Sequence, residues 1–182
     1  MKYVLATVYV LGIFYLLQPV AQLPTLDNAV LSNEPGDTWQ NPDQKGYYTN
    51  LTRSQVIDQI QQKSKISVFG ISIPNYRLNY RPEESYSLVR DQLKSNYLEE
   101  VVYPLKSSIY INGWEPKNAP VYANKPKKEI PDISIYGVPY DAKITLRPVS
   151  SVVFIGLLIW TAIFPLGYLV LQSFKRSMIH GK

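Results

Sequence analysis

The stretch Val152–Leu171 (VVFIGLLIWTAIFPLGYLVL) runs for twenty residues without one ionisable side chain. That is the length and composition of a helix crossing the ~30 Å hydrocarbon core of a bilayer. Pro165 and Gly167 fall inside the run and are expected to kink it, which bilayer helices tolerate when neighbours satisfy the freed carbonyl. It contains no Gly-x-x-x-Gly pair, so it proposes no helix-dimerisation face. The lack of acid or base inside it argues against a proton relay or an ion pathway.

A second apolar run, Tyr3–Leu17, lies at the other end and is closed by Gln18, Pro19 and Gln22. As a helix its residues cover only about 22 Å, so a span would have to extend to Leu23. A cleaved signal peptide with Lys2 as its positive end is the rival reading. The best small residue for cleavage is Ala21, but Pro19 stands two residues before it, where a small side chain is wanted. The run is therefore read as an uncleaved anchor over 1–23, with a second span at 150–172 and a basic tail at 173–182.

Charge sets the expected orientation. The formal net charge is +5, from 19 Lys and Arg against 14 Asp and Glu. Every acid lies between Asp27 and Asp141, whereas Lys2, Lys175, Arg176 and Lys182 flank the apolar runs. Positive residues beside spans mark the cytoplasmic side. Both termini are thus expected in the cytoplasm and the middle of the chain outside it, in an integral protein of a prokaryotic plasma membrane. The middle is almost neutral, without the concentrated basic surface that nucleic acid requires. Cysteine is absent, which excludes disulfide scaffolds, thiolate metal sites and cysteine nucleophiles.

Between the anchors the pattern reads as a small α+β domain over 52–147, made of two helices and antiparallel strands. Residues 24–51 lack periodicity and read as an extended connector. Thr52 and Gln55 have capping-box spacing ahead of Val56, Ile57 and Ile60, which predicts a helix near 53–63. Lys65–Ile73 (KISVFGISI) reads as a buried strand interrupted by Gly70, and Tyr76–Tyr80 reads either as a second strand paired with it or as a loop. Tyr86, Val89, Leu93, Tyr97 and Val101 recur at three- and four-residue intervals, which predicts a helix over 82–102 opened by Pro82. Arg90 and Glu100 fall near its apolar face as possible buried charges. Asn112-Gly113 predicts a type I′ hairpin turn with Trp114 on the return strand. Val121–Ala123, Asp132–Tyr136 and Ala142–Leu146 are further strand candidates.

No catalytic constellation stands out. His180 is the only histidine and lies in the basic tail, so a Ser-His-Asp triad or a histidine metal site in the domain is excluded. Glu83-Glu84 and Glu99-Glu100 are dense carboxylates, but neighbouring helical residues point ~100° apart and cannot face each other across a sugar. A Ser–Lys dyad with Lys106 or Lys94 lacks a nucleophile-turn motif. Tyrosine, at 15 residues, is the marked excess. Tyr76, Tyr80, Trp114, Tyr122, Tyr136 and Tyr140 form the candidate binding surface, since such rings offer a rigid apolar body with a polar tip. The reading is a non-enzymatic membrane-anchored scaffold, assembly or recognition protein. It needs no cofactor and partners the lipid bilayer and a membrane or envelope protein. The alternative is a membrane-bound envelope hydrolase using carboxylate or Ser/Lys chemistry.

Overall fold

The computed structural model describes residues 2–19, 22–89 and 94–180. It is a mixed α+β structure whose sheets are antiparallel. The central sheet has six strands in the order β1 (Ala29–Leu31), β2 (Lys45–Thr49), β10 (Ala142–Ser150), β7 (Ser107–Trp114), β6 (Tyr97–Tyr103) and β5 (Tyr76–Tyr80). Two separate hairpins complete the strands, β3 (Ile66–Val68) with β4 (Ile71–Ile73), and β8 (Ile133–Ile135) with β9 (Val138–Tyr140).

One face of the sheet packs on helix α2 (Arg53–Lys63). Thr52 and Gln55 close the predicted capping box, so two amides at the helix start are satisfied by side chains. Val56, Ile57 and Ile60 are fully buried against Tyr47, Val101, Ile111 and Ile144. Burying each aliphatic side chain contributes about 1.5–3 kcal/mol. On the opposite face the β8–β9 hairpin lays Ile133 and Ile135 on Tyr48, with Trp114 and Tyr140 at the margin.

Two further helices leave the same end of the sheet. Helix α4 (Val153–His180) starts three residues after β10. Its segment Val153–Phe174 is long and apolar enough to cross a membrane, and almost none of it is buried against the rest of the chain. Helix α1 (Lys2–Leu17) is shorter. It ends at Leu17 instead of continuing to Leu23, because Gln18 and Pro19 interrupt it. The two helices run antiparallel: the Tyr9 ring meets Phe164 edge-on at 5.1 Å, and Trp160 donates its indole N–H to the Tyr9 carbonyl at 3.1 Å. The Trp160 ring lies where a side chain on Gly12 would stand.

Both helices are tied to the short loop between β6 and β7. Lys106 is buried, and its ammonium donates to the carbonyls of Tyr15 and Leu16, both at 3.2 Å, and to that of Gln18. These carbonyls lie in the last turn of α1 and just beyond it, where i+4 partners run out; that of Tyr15 also accepts from the Gln18 amide at 3.2 Å. Desolvation lowers the Lys106 pKa. Ser151, just before α4, donates its hydroxyl to the Lys106 carbonyl at 2.6 Å. Gly156 packs so closely on the loop that an added Cβ would meet the Leu105 carbonyl oxygen at 2.5 Å.

Several expectations are corrected. Of the helix predicted over 82–102, the described residues hold a 3-10 turn at Pro82–Glu84 and a short helix, α3 (Ser85–Leu88); Leu93 lies outside them, and Tyr97–Tyr103 is strand β6. A spacing of four is even, so Tyr97 and Val101 share a face in a strand as well as in a helix. Asn112-Gly113 lies inside β7 and makes no turn. Gly113 is needed because the Tyr97 ring crosses it, leaving only 2.0 Å for a Cβ. The turn falls instead at residues 104–106, where Leu105 takes a φ of 60°. Gly70 does not interrupt one strand but turns a hairpin with Phe69, their φ values being 81° and 50°. Val121 and Tyr122 lie in a 3-10 turn rather than a strand.

The connector proves to be part of the domain. Its residues supply β1 and β2, and Lys143 pins the intervening loop by ion pairs to Glu34 at 2.6 Å and Asp37 at 2.7 Å. Burial opposes the charge on Lys143, yet these two carboxylates raise its pKa above the usual lysine range.

Candidate functional site

The end of the sheet opposite the apolar helices carries an open cleft of about 760 Å3. It lies where α2 begins, where β7 ends and where β10 starts, with Thr52, Arg53, Arg77, Glu115, Lys117 and Asp141 among its lining residues. The seven residues of β6 separate this end from the loop that holds α1 and α4. At about 3.3 Å per residue, that places the cleft roughly 20 Å from the helices.

The floor of the site is set by Glu99. Alternation along β6 turns Tyr97, Glu99 and Val101 toward α2, so this carboxylate is buried in a row of apolar neighbours. An unpaired charge there would be costly. Two guanidiniums compensate it. Arg53, the first residue of α2, donates Nε to Glu99 Oε1 at 2.7 Å and an Nη group to Asn79 at 2.9 Å. Arg77, on edge strand β5, donates Nε to Oε2 at 2.5 Å and an Nη group to Oε1 at 2.6 Å. Burial pushes the Glu99 pKa up, but the hydrogen bonds from Arg77 and Arg53 outweigh it and the net direction is down. Glu99 is therefore a fixed anion that holds two cations at the edge of the cleft.

The Arg53 guanidinium also stacks over the Tyr97 ring, 4.8 Å from its centroid. Below it the Tyr97 hydroxyl is buried without a hydrogen-bond partner among the described residues, as is Glu115 Oε1. Burial, then the nearby Glu115 charge, raises the Tyr97 pKa. The other Glu115 oxygen accepts from Asn118 at 2.9 Å. On the open side Lys117 pairs with Asp141 at 2.5 Å, both exposed. The cleft thus presents half-exposed guanidiniums of fixed orientation beside a mixed polar rim. Such planar donors suit carboxylate or amide oxygens.

The aromatic residues singled out from the sequence are spread over β5, the end of β7, the β8–β9 hairpin and a 3-10 turn. Tyr76 and Tyr80 lie on edge strand β5, and the Tyr80 ring packs 5.9 Å from Tyr110. Trp114 packs beside the β8–β9 hairpin, and Tyr140, its last residue, has its ring 6.1 Å from Tyr48. Tyr136 is exposed in the turn of that hairpin, at a φ of 53°. Tyr122 stands apart in a 3-10 turn, with the Lys125 ammonium 5.8 Å from its ring. Glu100 is buried, on the sheet face opposite Glu99, and accepts from the Tyr80 hydroxyl at 2.5 Å. Arg90 lies outside the described residues. Of the two dyad lysines, Lys106 is engaged by α1, and Lys94 sits 4.8 Å from the Trp114 ring centroid.

Sequence reasoning missed the Arg53–Glu99–Arg77 cluster. The signal was the alternation Tyr97-x-Glu99-x-Val101-x-Tyr103, a lone charge on an otherwise apolar face. Among the described residues no group of His, Asp and Glu is arranged to hold a metal ion. No protein-family model, curated protein or solved structure matches the chain.

Proposed function

We propose that this protein is a membrane-anchored, non-enzymatic recognition or assembly subunit. In this reading α1 and α4 both cross the bilayer, both termini are cytoplasmic, and the sheet domain stands outside a prokaryotic plasma membrane. The distal cleft then meets an oxygen-rich segment of an envelope or membrane protein partner. The observation that carries the reading is the single buried carboxylate of Glu99 shared by Arg53 and Arg77. It orients two guanidiniums before any partner arrives, which lowers the ordering cost of binding. Both of its oxygens accept from the guanidiniums and its pKa is depressed, so it suits holding cations better than transferring protons.

The lining residue Ser54 is exposed and offers a site for a photo-crosslinking amino acid in the full chain. The reading expects a discrete crosslinked partner in cells that disappears when Arg77→Ala is added. A second reading, an envelope hydrolase, draws on the buried, unpartnered Glu115 Oε1 beside the cleft. Hydrolysis of envelope glycan or peptide by the purified full chain, abolished by Glu115→Gln, together with no crosslink at Ser54, would favour it over the binding role.

A further inference from the structure

The β3–β4 hairpin joins the domain core through Ile66 and then departs from it. Its cross-strand pairs Ile66–Ile73 and Val68–Ile71 occupy one face, and Ser67–Ser72 the other. The apolar face turns to the helices: Val68, Ile71 and Ile73 share an apolar cleft of about 260 Å3 with Leu11, Gly12 and Trp160. At the tip, Phe69 and Gly70 take the two left-handed positions of a tight hairpin turn. Asparagine or glycine is the usual first residue there, because a Cβ is disfavoured at positive φ. Phenylalanine holds the position instead, with its side chain largely exposed and its ring edge-on to Phe14 at 5.1 Å. Phe14 lies three residues inside the end of α1, so the tip reaches the level of the apolar helix.

We propose that the β3–β4 hairpin enters the outer leaflet beside α1 and α4, with lipid acyl chains covering Phe69 and Ile71 and filling the apolar cleft. This rests on the reading of α1 and α4 as spans. Lipid is the occupant because the hairpin surface is continuous with that of two apolar helices whose outer sides the chain leaves uncovered. Depth is limited by the backbone. A two-stranded hairpin has open edges, which cannot be satisfied in the hydrocarbon core. The serine face and the edges therefore stay at headgroup level while the tip dips below it, as in other interfacial anchors. The Tyr15 ring, near the end of α1 with its hydroxyl donating to the Pro104 carbonyl at 3.2 Å, fits this boundary.

The chain has no cysteine, so single nitroxide labels can be placed on the full-length protein in phosphatidylcholine–phosphatidylglycerol vesicles. Labels at Phe69→Cys and Ile71→Cys are compared with Ile163→Cys in the middle of α4 and Tyr136→Cys on the distal hairpin. Collision with oxygen reports lipid, and collision with a water-soluble nickel chelate reports water. The expected result is a lipid signature at 69 and 71, shallower than at 163, with 136 in water. Nickel accessibility at 69 and 71 equal to that at 136, with 163 in lipid, would overturn the hairpin insertion and leave the spans standing. Nickel accessibility at 163 as well would remove the spans and the proposal together.

Discussion

The Lys106 ammonium lies 3.2 Å from the carbonyl oxygen of Leu16, ninety residues away in the chain and at the end of a helix from a different layer. Three ammonium protons meet three carbonyls of one helix terminus, which matches the donor count of lysine. The contact makes the loop between β6 and β7 a joint through which the sheet domain holds the end of α1, beside the contacts of the β3–β4 hairpin farther along it. Lys106→Met removes the donors and keeps the apolar stem. Losing buried charged hydrogen bonds costs about 1.5–3 kcal/mol. Hydrogen exchange in detergent should show the amides near residues 15–18 opening while those of β7 stay protected. The exposed Lys125→Met serves as control, with an effect within about 0.5 kcal/mol. Unchanged protection at residues 15–18 would mean that the loop does not hold the helix.

Glu99 predicts an acid limb of stability with a defined sign. Its folded pKa is below its unfolded value, which is near 4.3. Stability from this group is thus fully present above about pH 4.3 and lost as pH falls through the lower folded value. Glu99→Gln should lower stability at neutral pH by about 1–2 kcal/mol, discounted because both guanidiniums are partly solvated. The variant should also lose less on acidification than the parent. Denaturant unfolding at pH 7, 5 and 3 measures both effects. A parallel pH profile for parent and variant would show that the pairs do not stabilise the fold.

Tyr97 and Gly113 predict opposite responses at one contact. The Tyr97 hydroxyl is buried without a partner among the described residues, so Tyr97→Phe should be neutral or stabilising by up to about 1 kcal/mol. Gly113→Ala puts a methyl 2.0 Å from the same ring and should cost about 1–3 kcal/mol by overpacking. Melting temperatures of the two variants decide it. A strongly destabilised Tyr97→Phe would mean that the hydroxyl does have a partner.

How far the sequence was legible follows from which interactions are local. The capping box of Thr52 and Gln55 is a four-residue event, and α2 appears where it is predicted. The strands near 133 and 142 were visible for the same reason, since their alternation is self-contained, whereas Tyr76–Tyr80 read equally as strand or loop and its partner is β6 instead of the segment before it. Strand β6 was not, because its face-sharing residues satisfy two periods at once and only pairing with β5 and β7 decides between them. The loop held by Lys143 carries no periodicity, and its order comes from a residue more than a hundred positions later. Gly113 resembled a turn glycine, whereas the reason for it is a ring arriving from the neighbouring strand. The guanidinium pair of the cleft was hidden likewise: Arg53 and Arg77 look like surface charges until sheet register brings both to Glu99.

The central claim is that both apolar helices cross a bilayer and leave the sheet domain on the outer side. Single cysteines test it directly in the full-length protein: Gly36→Cys, where an added Cβ meets open space, and Met178→Cys, exposed near the end of α4. With an impermeant thiol reagent on intact cells, the account predicts labelling at 36 and protection at 178 until the membrane is opened. Protection at 36, or equal labelling at both positions in intact cells, would contradict it.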